Sequence, residues 1–63
     1  MKNQIAINGQ KEILVNHLNN AVDAGCDTIE QIKRVAVVIF KEENKESVLS
    51  FFDYQEVFKT YFN

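Results

Sequence analysis

The chain has 63 residues, of which 46% are hydrophobic and 25% charged, and its formal net charge is −2. A chain of this length and composition forms one globular domain, residues 1–63, and is not disordered. A single cysteine excludes an internal disulfide, and one histidine with one cysteine cannot supply the four ligands of a structural zinc site. We therefore expect no metal and no cofactor, and the acidic charge balance argues against nucleic-acid binding.

No segment contains the roughly 20 consecutive apolar residues that a membrane-spanning helix needs. The apolar part of the N-terminal segment is also too short for a secretory signal peptide. An unpaired cysteine is compatible with a reducing compartment. We expect a cytoplasmic protein with no membrane contact.

The N-terminal segment NQIAING alternates between apolar and polar side chains, which predicts a short β-strand that ends at the turn dipeptide Asn8–Gly9. Apolar residues then recur at helical spacing and predict a helix over Gln10–Ala24. Gly25 suits the left-handed position that commonly ends a helix. His17 lies at the margin of the apolar stripe, and we interpret it as a boundary residue. The stripe consists of Ile13, Leu14, Leu18, Ala21 and Val22.

Two Asp-x-x-Glu motifs are candidates for helix N-caps, in which Asp27 and Asp53 cap while Glu30 and Glu56 reach back. This interpretation is preferred over pairs of carboxylates for acid–base catalysis. The motifs predict a helical turn over Thr28–Lys33 and a final helix over Tyr54–Tyr61.

Six consecutive apolar residues, Val35–Phe40, are the most unusual feature of the sequence, and four of them are β-branched. β-Branched residues favour strands, so we predict a strand over Arg34–Lys41. A helix that continues to Glu43 is the alternative, because period alone does not distinguish the two for a short apolar run. A charged hairpin loop and a third strand over Glu46–Phe52 follow, with a helix from Lys45 as the alternative.

The predicted fold class is α+β: a small antiparallel sheet with two helices, in the order strand, helix, turn, strand, strand, helix. An all-α three-helix bundle is the alternative. A strand that is apolar on both faces needs cover on both, so we predict a homodimer or a larger homo-oligomer. A monomer in which each helix covers a different face is the competing arrangement. The candidate interface residues are Val38, Phe40, Phe51, Tyr54, Phe58, Tyr61 and Phe62.

Residues that carry chemistry are few. Cys26 is interpreted as a small packed residue near a helix start, and Glu42, Glu43 and Glu46 as a solvated turn. No phosphate-binding loop, dinucleotide fingerprint or catalytic constellation occurs, so no catalytic residue is predicted. A small anion could be held by four polar or basic side chains: Gln10, Lys11, Lys33 and Arg34.

Residues 13–52, ILVNHLNNAVDAGCDTIEQIKRVAVVIFKEENKESVLSFF, resemble short phage and prophage orphan proteins, in which an amphipathic helix precedes a VAVVI-type strand and a hairpin. The resemblance implies a non-enzymatic accessory or inhibitor protein that acts on a host protein. The residues themselves predict a small intracellular interaction module with a protein partner. An oligomer that sequesters a nucleotide-like anion is one alternative, and a nucleic-acid-binding regulator, favoured if the chain is all-helical, is another.

Overall fold

The computed structural model describes residues 4–63, and this part of the chain consists of three α-helices with no β-strand. The helices are α1 (Gln4–Asp23), α2 (Ile29–Glu43) and α3 (Phe51–Tyr61). The predicted α+β fold with its antiparallel sheet is therefore wrong. The three-helix alternative describes the architecture.

Helix α1 replaces the predicted first strand and runs through Asn8–Gly9, so the predicted turn is wrong as well. Asn3, the first residue of that predicted strand, lies outside the described residues. A helical glycine costs about 1 kcal/mol, which the apolar stripe offsets by burying Leu14, Leu18 and Ala21. The predicted end of the helix is off by only one residue, and Gly25 has the expected left-handed conformation with φ +96°.

Helix α2 contains the apolar run, so the predicted strand Arg34–Lys41 is wrong and the helix that continues to Glu43 is confirmed. Ile32, Ala36 and Phe40 recur every four residues and are the buried residues of this helix. A strand would place Val38 on the same face as Ala36 and Phe40, whereas the helix leaves Val38 56% exposed and buries the other two. Tertiary packing of this buried stripe overrides the β-preference of the valines.

Helix α2 begins one residue after its predicted start at Thr28, and α3 begins three residues before its predicted start at Tyr54. Thr28, not Asp27, caps α2: its hydroxyl accepts the Gln31 N–H at 3.1 Å, while the Gln31 side chain accepts the Asp27 N–H. Ser50 caps α3 in a reciprocal capping box, in which Asp53 is the third helical residue and not the cap. Each cap satisfies amides that the first turn leaves without helical partners.

Helix α3 begins at Phe51, so the predicted strand Glu46–Phe52 is wrong. The predicted end of the final helix at Tyr61 is confirmed. Two contacts fix its direction relative to α1. Lys11 Nζ lies 3.8 Å from Asp53 Oδ1 near the start of α3, and Tyr61 donates a hydrogen bond to Asn19 near its end. Since α3 thus runs parallel to α1 and the chain reverses between α1 and α2, the topology is up–down–up.

The core lies mainly between α1 and α2, and α3 adds Val57 to it. Leu14, Leu18 and Phe40 are fully buried at its centre. Because the apolar run is helical, its two strand faces do not exist, and the reason for expecting a second subunit over them does not apply. The core cluster consists of Leu14, Leu18, Ala21, Ile32, Ala36, Phe40 and Val57.

None of the helices in residues 4–63 combines the length and the apolar character that a bilayer crossing requires.

Candidate functional site

Two rows of side chains face each other across a groove between α2 and α3. On α3, Tyr54, Phe58 and Phe62 follow one another at four-residue spacing, which puts them on one side of the helix. On α2, Lys33 and Lys41 share a side for the same reason and reach towards these rings. Aromatic rings therefore form one wall of the groove, and lysine side chains form part of the other.

The lysine ammonium groups lie over the aromatic rings. Lys33 Nζ is 5.2 Å from the centroid of Phe58 and 5.8 Å from that of Phe62, and Lys41 Nζ is 5.7 Å from the centroid of Tyr54. These distances are within the range of cation–π attraction, which contributes about 0.5–1 kcal/mol at an exposed site. The contacts orient both lysines in the free protein.

The aromatic row is anchored to the core at one end. The Tyr54 ring meets Phe40 edge-on at 6.1 Å, and successive ring centroids from Tyr54 to Phe58 and from Phe58 to Phe62 are 6.3 and 6.5 Å apart. All three rings of the row remain half-buried in the free chain. They thus form a continuous apolar wall that a ligand can still cover.

The groove has a volume of about 590 Å³. Its charged lining residues are Lys33, Lys59 and Glu56, and Glu56 Oε2 also lies 3.4 Å from Lys11 Nζ on the other side of α3. One carboxylate is thereby engaged, while two lysines line the groove. The lining residues are Ile29, Lys33, Gln55, Glu56, Phe58, Lys59, Phe62 and Asn63.

A second groove, between α1 and α3, is crossed by internal polar contacts. Lys11 Nζ lies 3.8 Å from Asp53 Oδ1 and 3.4 Å from Glu56 Oε2, and Tyr61 Oη donates to Asn19 Oδ1 at 2.6 Å. These contacts join α1 to α3 at both ends. A ligand there would have to break them, so this groove is the poorer candidate.

The four predicted anion-site residues do not form one site. Gln10 Oε1 accepts two hydrogen bonds from the loop at 44–50, and Lys11 pairs with carboxylates of α3. Lys33 lines the groove on the opposite side of α3, and the adjacent Arg34 is exposed. The fold thus separates the predicted anion-site residues onto two sides of α3.

The predicted interface residues occupy several different environments. Tyr54, Phe58 and Phe62 line or border the groove, whereas Tyr61 faces α1. Phe40 is completely buried beneath them and is not on the surface of the chain. The remaining two, Val38 and Phe51, are exposed.

The predicted interface residues leave out two features of this surface. Phe52, beside Phe51 at the first turn of α3, is 80% exposed, the largest fraction among the exposed large hydrophobic residues. Lys41 and Lys59 border the groove but had no predicted role. The eight-residue spacing of Lys33 and Lys41 carries a signal for one helix face, once the segment between them is recognised as a helix.

His17 and Cys26 have local structural contacts. His17 Nε2 lies 3.3 Å from Glu43 Oε1, and the His17 ring meets Phe40 edge-on, so this side chain joins α1 to the end of α2. Cys26 is a half-buried free thiol that packs against the core. Within the part of the chain that the structure describes, no three metal-ligating side chains cluster.

Comparison with known proteins found no relative: no protein-family model, curated protein or solved structure matches the chain.

Proposed function

We propose that the chain is a small, non-enzymatic interaction protein that binds another protein through the α2–α3 groove. The observation that carries the proposal is the row of three aromatic rings facing oriented lysines across an open groove. Grooves with an apolar wall and a few placed polar groups are common docking sites for peptide segments.

The chemistry of the groove suits protein recognition. Aromatic side chains are enriched among the residues that dominate binding energy, because they bury much area at little entropic cost. Phe58 and Phe62 are half-buried, so part of each ring remains to be covered. Lys33 and Lys59 then supply the charged rim that sets orientation.

Affinity capture with charge-reversal variants tests the proposal. The tagged chain, the double variant Lys33→Glu/Lys59→Glu, and the control Lys45→Glu would each be incubated with lysate of the cells that encode the protein. Lys45 is an exposed loop lysine that does not line the groove. We expect a protein that the original chain and the control retain and the double variant loses. Equal capture by all three, or no captured protein, would contradict the proposal.

A nucleotide-like anion is the second candidate ligand. Lys33 and Lys59 border Phe58 and Phe62, so a base stacked on a ring would bring its phosphate near an ammonium group. A rise in melting temperature with a nucleotide, abolished by Lys33→Glu/Lys59→Glu, would favour this ligand. No shift with any nucleotide would remove it.

Nucleic acid is the third candidate ligand, because the sequence analysis favoured nucleic-acid binding if the chain is all-helical. Its basic footprint would consist of Lys33, Arg34, Lys41 and Lys59, in a chain with a net charge of −2. Strongly salt-dependent mobility shifts are expected of such binding. The absence of any shift at low salt would dispose of it.

A further inference from the structure

The charges beside the groove bear on the kind of partner. Two of the seven basic residues in the sequence, Lys33 and Lys59, line it, and Lys41 lies over the ring of Tyr54, one helical turn along α3 from Phe58. The ammonium groups of the two on α2 face aromatic rings, whereas that of Lys11 faces carboxylates on the other side of α3. Glu30 and Glu56 are the acidic residues on the flanking helix faces, and Glu56 is shared with Lys11. The groove therefore has a basic rim in an acidic protein.

The spacing of these residues matches a helix. Lys33 and Lys41 are eight residues apart on α2, so they lie about 12 Å apart along its axis. A helix lying beside α2 would meet both with carboxylates seven or eight residues apart. The rings of Tyr54, Phe58 and Phe62 recur about every 6 Å along α3, which suits apolar side chains at helical spacing on the same ligand.

Resting on the proposed function, the geometry points to an acidic amphipathic helix of another protein as the occupant of the groove. Its apolar stripe covers the rings of α3, and two carboxylates seven or eight residues apart face Lys33 and Lys41. Since α3 has 11 residues and is about 16 Å long, about three turns of the partner helix fill the groove.

A second copy of the chain does not fit this description. The acidic residues of α1 are Glu12 and Asp23, eleven positions apart, and those of α3 are Asp53 and Glu56, three apart. In α2, Glu30 is separated from Glu42 and Glu43 by twelve and thirteen positions. None of the three helices therefore offers the required pair, and charge complementarity favours a different protein.

Two synthetic helical peptides test the inference. Both have 15 residues and leucines at three- and four-residue spacing; one carries two glutamates seven residues apart beside the leucine stripe, and the other carries lysines there. Fluorescence anisotropy would measure the binding of each to the original chain, to Lys33→Glu/Lys41→Glu and to the control Lys45→Glu. Circular dichroism of each variant checks that it is folded.

We expect the glutamate peptide to bind the original chain and Lys45→Glu equally. Exposed ion pairs contribute modestly, so the double variant should weaken this binding by about threefold to tenfold and should prefer the lysine peptide instead. Equal binding of both peptides, or no binding of the glutamate peptide, would overturn the inference. If the peptides fail but capture from lysate still depends on Lys33 and Lys59, the groove remains a protein-binding site and only the acidic helix is ruled out as its ligand. If capture fails as well, both the proposed function and this inference are wrong.

Self-association is the remaining competitor. Sedimentation equilibrium of the original chain and of Lys33→Glu/Lys59→Glu measures it directly. A monomer in both samples supports a different protein as the occupant. A dimer that the double variant dissociates would mean that a second copy fills the groove, and would overturn the inference.

Discussion

Gln10 in α1 holds the backbone of Val48 in the loop before α3: Gln10 Oε1 accepts the Val48 N–H at 2.9 Å and also the Ser47 hydroxyl at 2.9 Å. This single side chain therefore fixes where residues 44–50 cross α1. The loop delivers Ser50 to its capping position, so the contact helps to set where α3, and with it one wall of the groove, begins.

Removing the Gln10 acceptor should loosen this connection. We expect Gln10→Ala to lower the free energy of unfolding by about 1–2 kcal/mol, since two partly buried donors lose their partner. Gln10→Glu keeps acceptor oxygens and should retain most of the stability. Urea unfolding monitored by circular dichroism gives both values, and an alanine variant as stable as the original would contradict the assigned role.

The two glycines should respond to alanine in opposite directions. Gly9 lies within α1 with nothing within 4 Å of the position that a Cβ would take, so Gly9→Ala should stabilise the chain by about 1 kcal/mol. Gly25 has φ +96°, so Gly25→Ala should destabilise it by about 1–2 kcal/mol. Thermal unfolding of the pair measures the signs; two shifts in the same direction would contradict one of these backbone conformations.

Ala36 and Val38 distinguish a helix from a strand in the apolar run. Ala36 is fully buried where α1 and α2 approach, so Ala36→Leu should overpack the core and cost about 1–3 kcal/mol. Val38 is 56% exposed, so Val38→Ala should be neutral or should stabilise by a few tenths of a kcal/mol through helix propensity. A loss above about 1 kcal/mol for Val38→Ala would indicate burial, against the helical register.

The caps can be tested at Thr28 with Thr60 as a matched control. The Thr28 hydroxyl accepts the Gln31 N–H, whereas Thr60 is an exposed residue in the last turn of α3. Thr28→Ala should cost about 1 kcal/mol and Thr28→Ser much less, while Thr60→Ala should cost nothing. Chemical denaturation of the three variants supplies the comparison; equal stability of Thr28→Ala and Thr60→Ala would argue against the cap.

Parts of the fold were predictable because they depend on local chemistry. The end of α1 near Gly25 follows from the conformational freedom of glycine, and helical spacing correctly placed Leu14, Leu18 and Ala21 in the core. Ile13 and Val22, the other two residues of the predicted stripe, are exposed. The secondary structure of the apolar run could not be predicted, because six adjacent apolar residues satisfy a two-residue period and a helical period equally well. What decides between them is Phe40 and Ala36 packing into a core formed with α1, and that contact is invisible in the run itself.

The sequence singled out some of the residues that form the groove, but it did not predict how the fold arranges them. The aromatic row was predicted to belong to a contact surface, but Lys33 was placed at the end of a short helical turn and Lys41 at the end of a strand, so the sequence did not put the two lysines on one helix face. Lys33 and Phe58 are separated by 25 positions, and only the antiparallel alignment of α2 with α3 brings them to 5.2 Å. In the same way, an Asp-x-x-Glu motif marked the start of α3 to within three residues, while the cap itself is Ser50.

Helix α3 contributes one buried residue, Val57, and half-buried aromatic rings to the core, whereas α1 and α2 contribute all the other buried residues of the core cluster. Its detachment therefore exposes much less apolar surface than complete unfolding does, and an isolated helix of this length is not stable in water. Its amide protons should consequently exchange with deuterated solvent before those of α1 and α2. A ligand that contacts both α2 and α3 would stabilise α3 against detachment, so binding in the groove should slow deuterium uptake in α3.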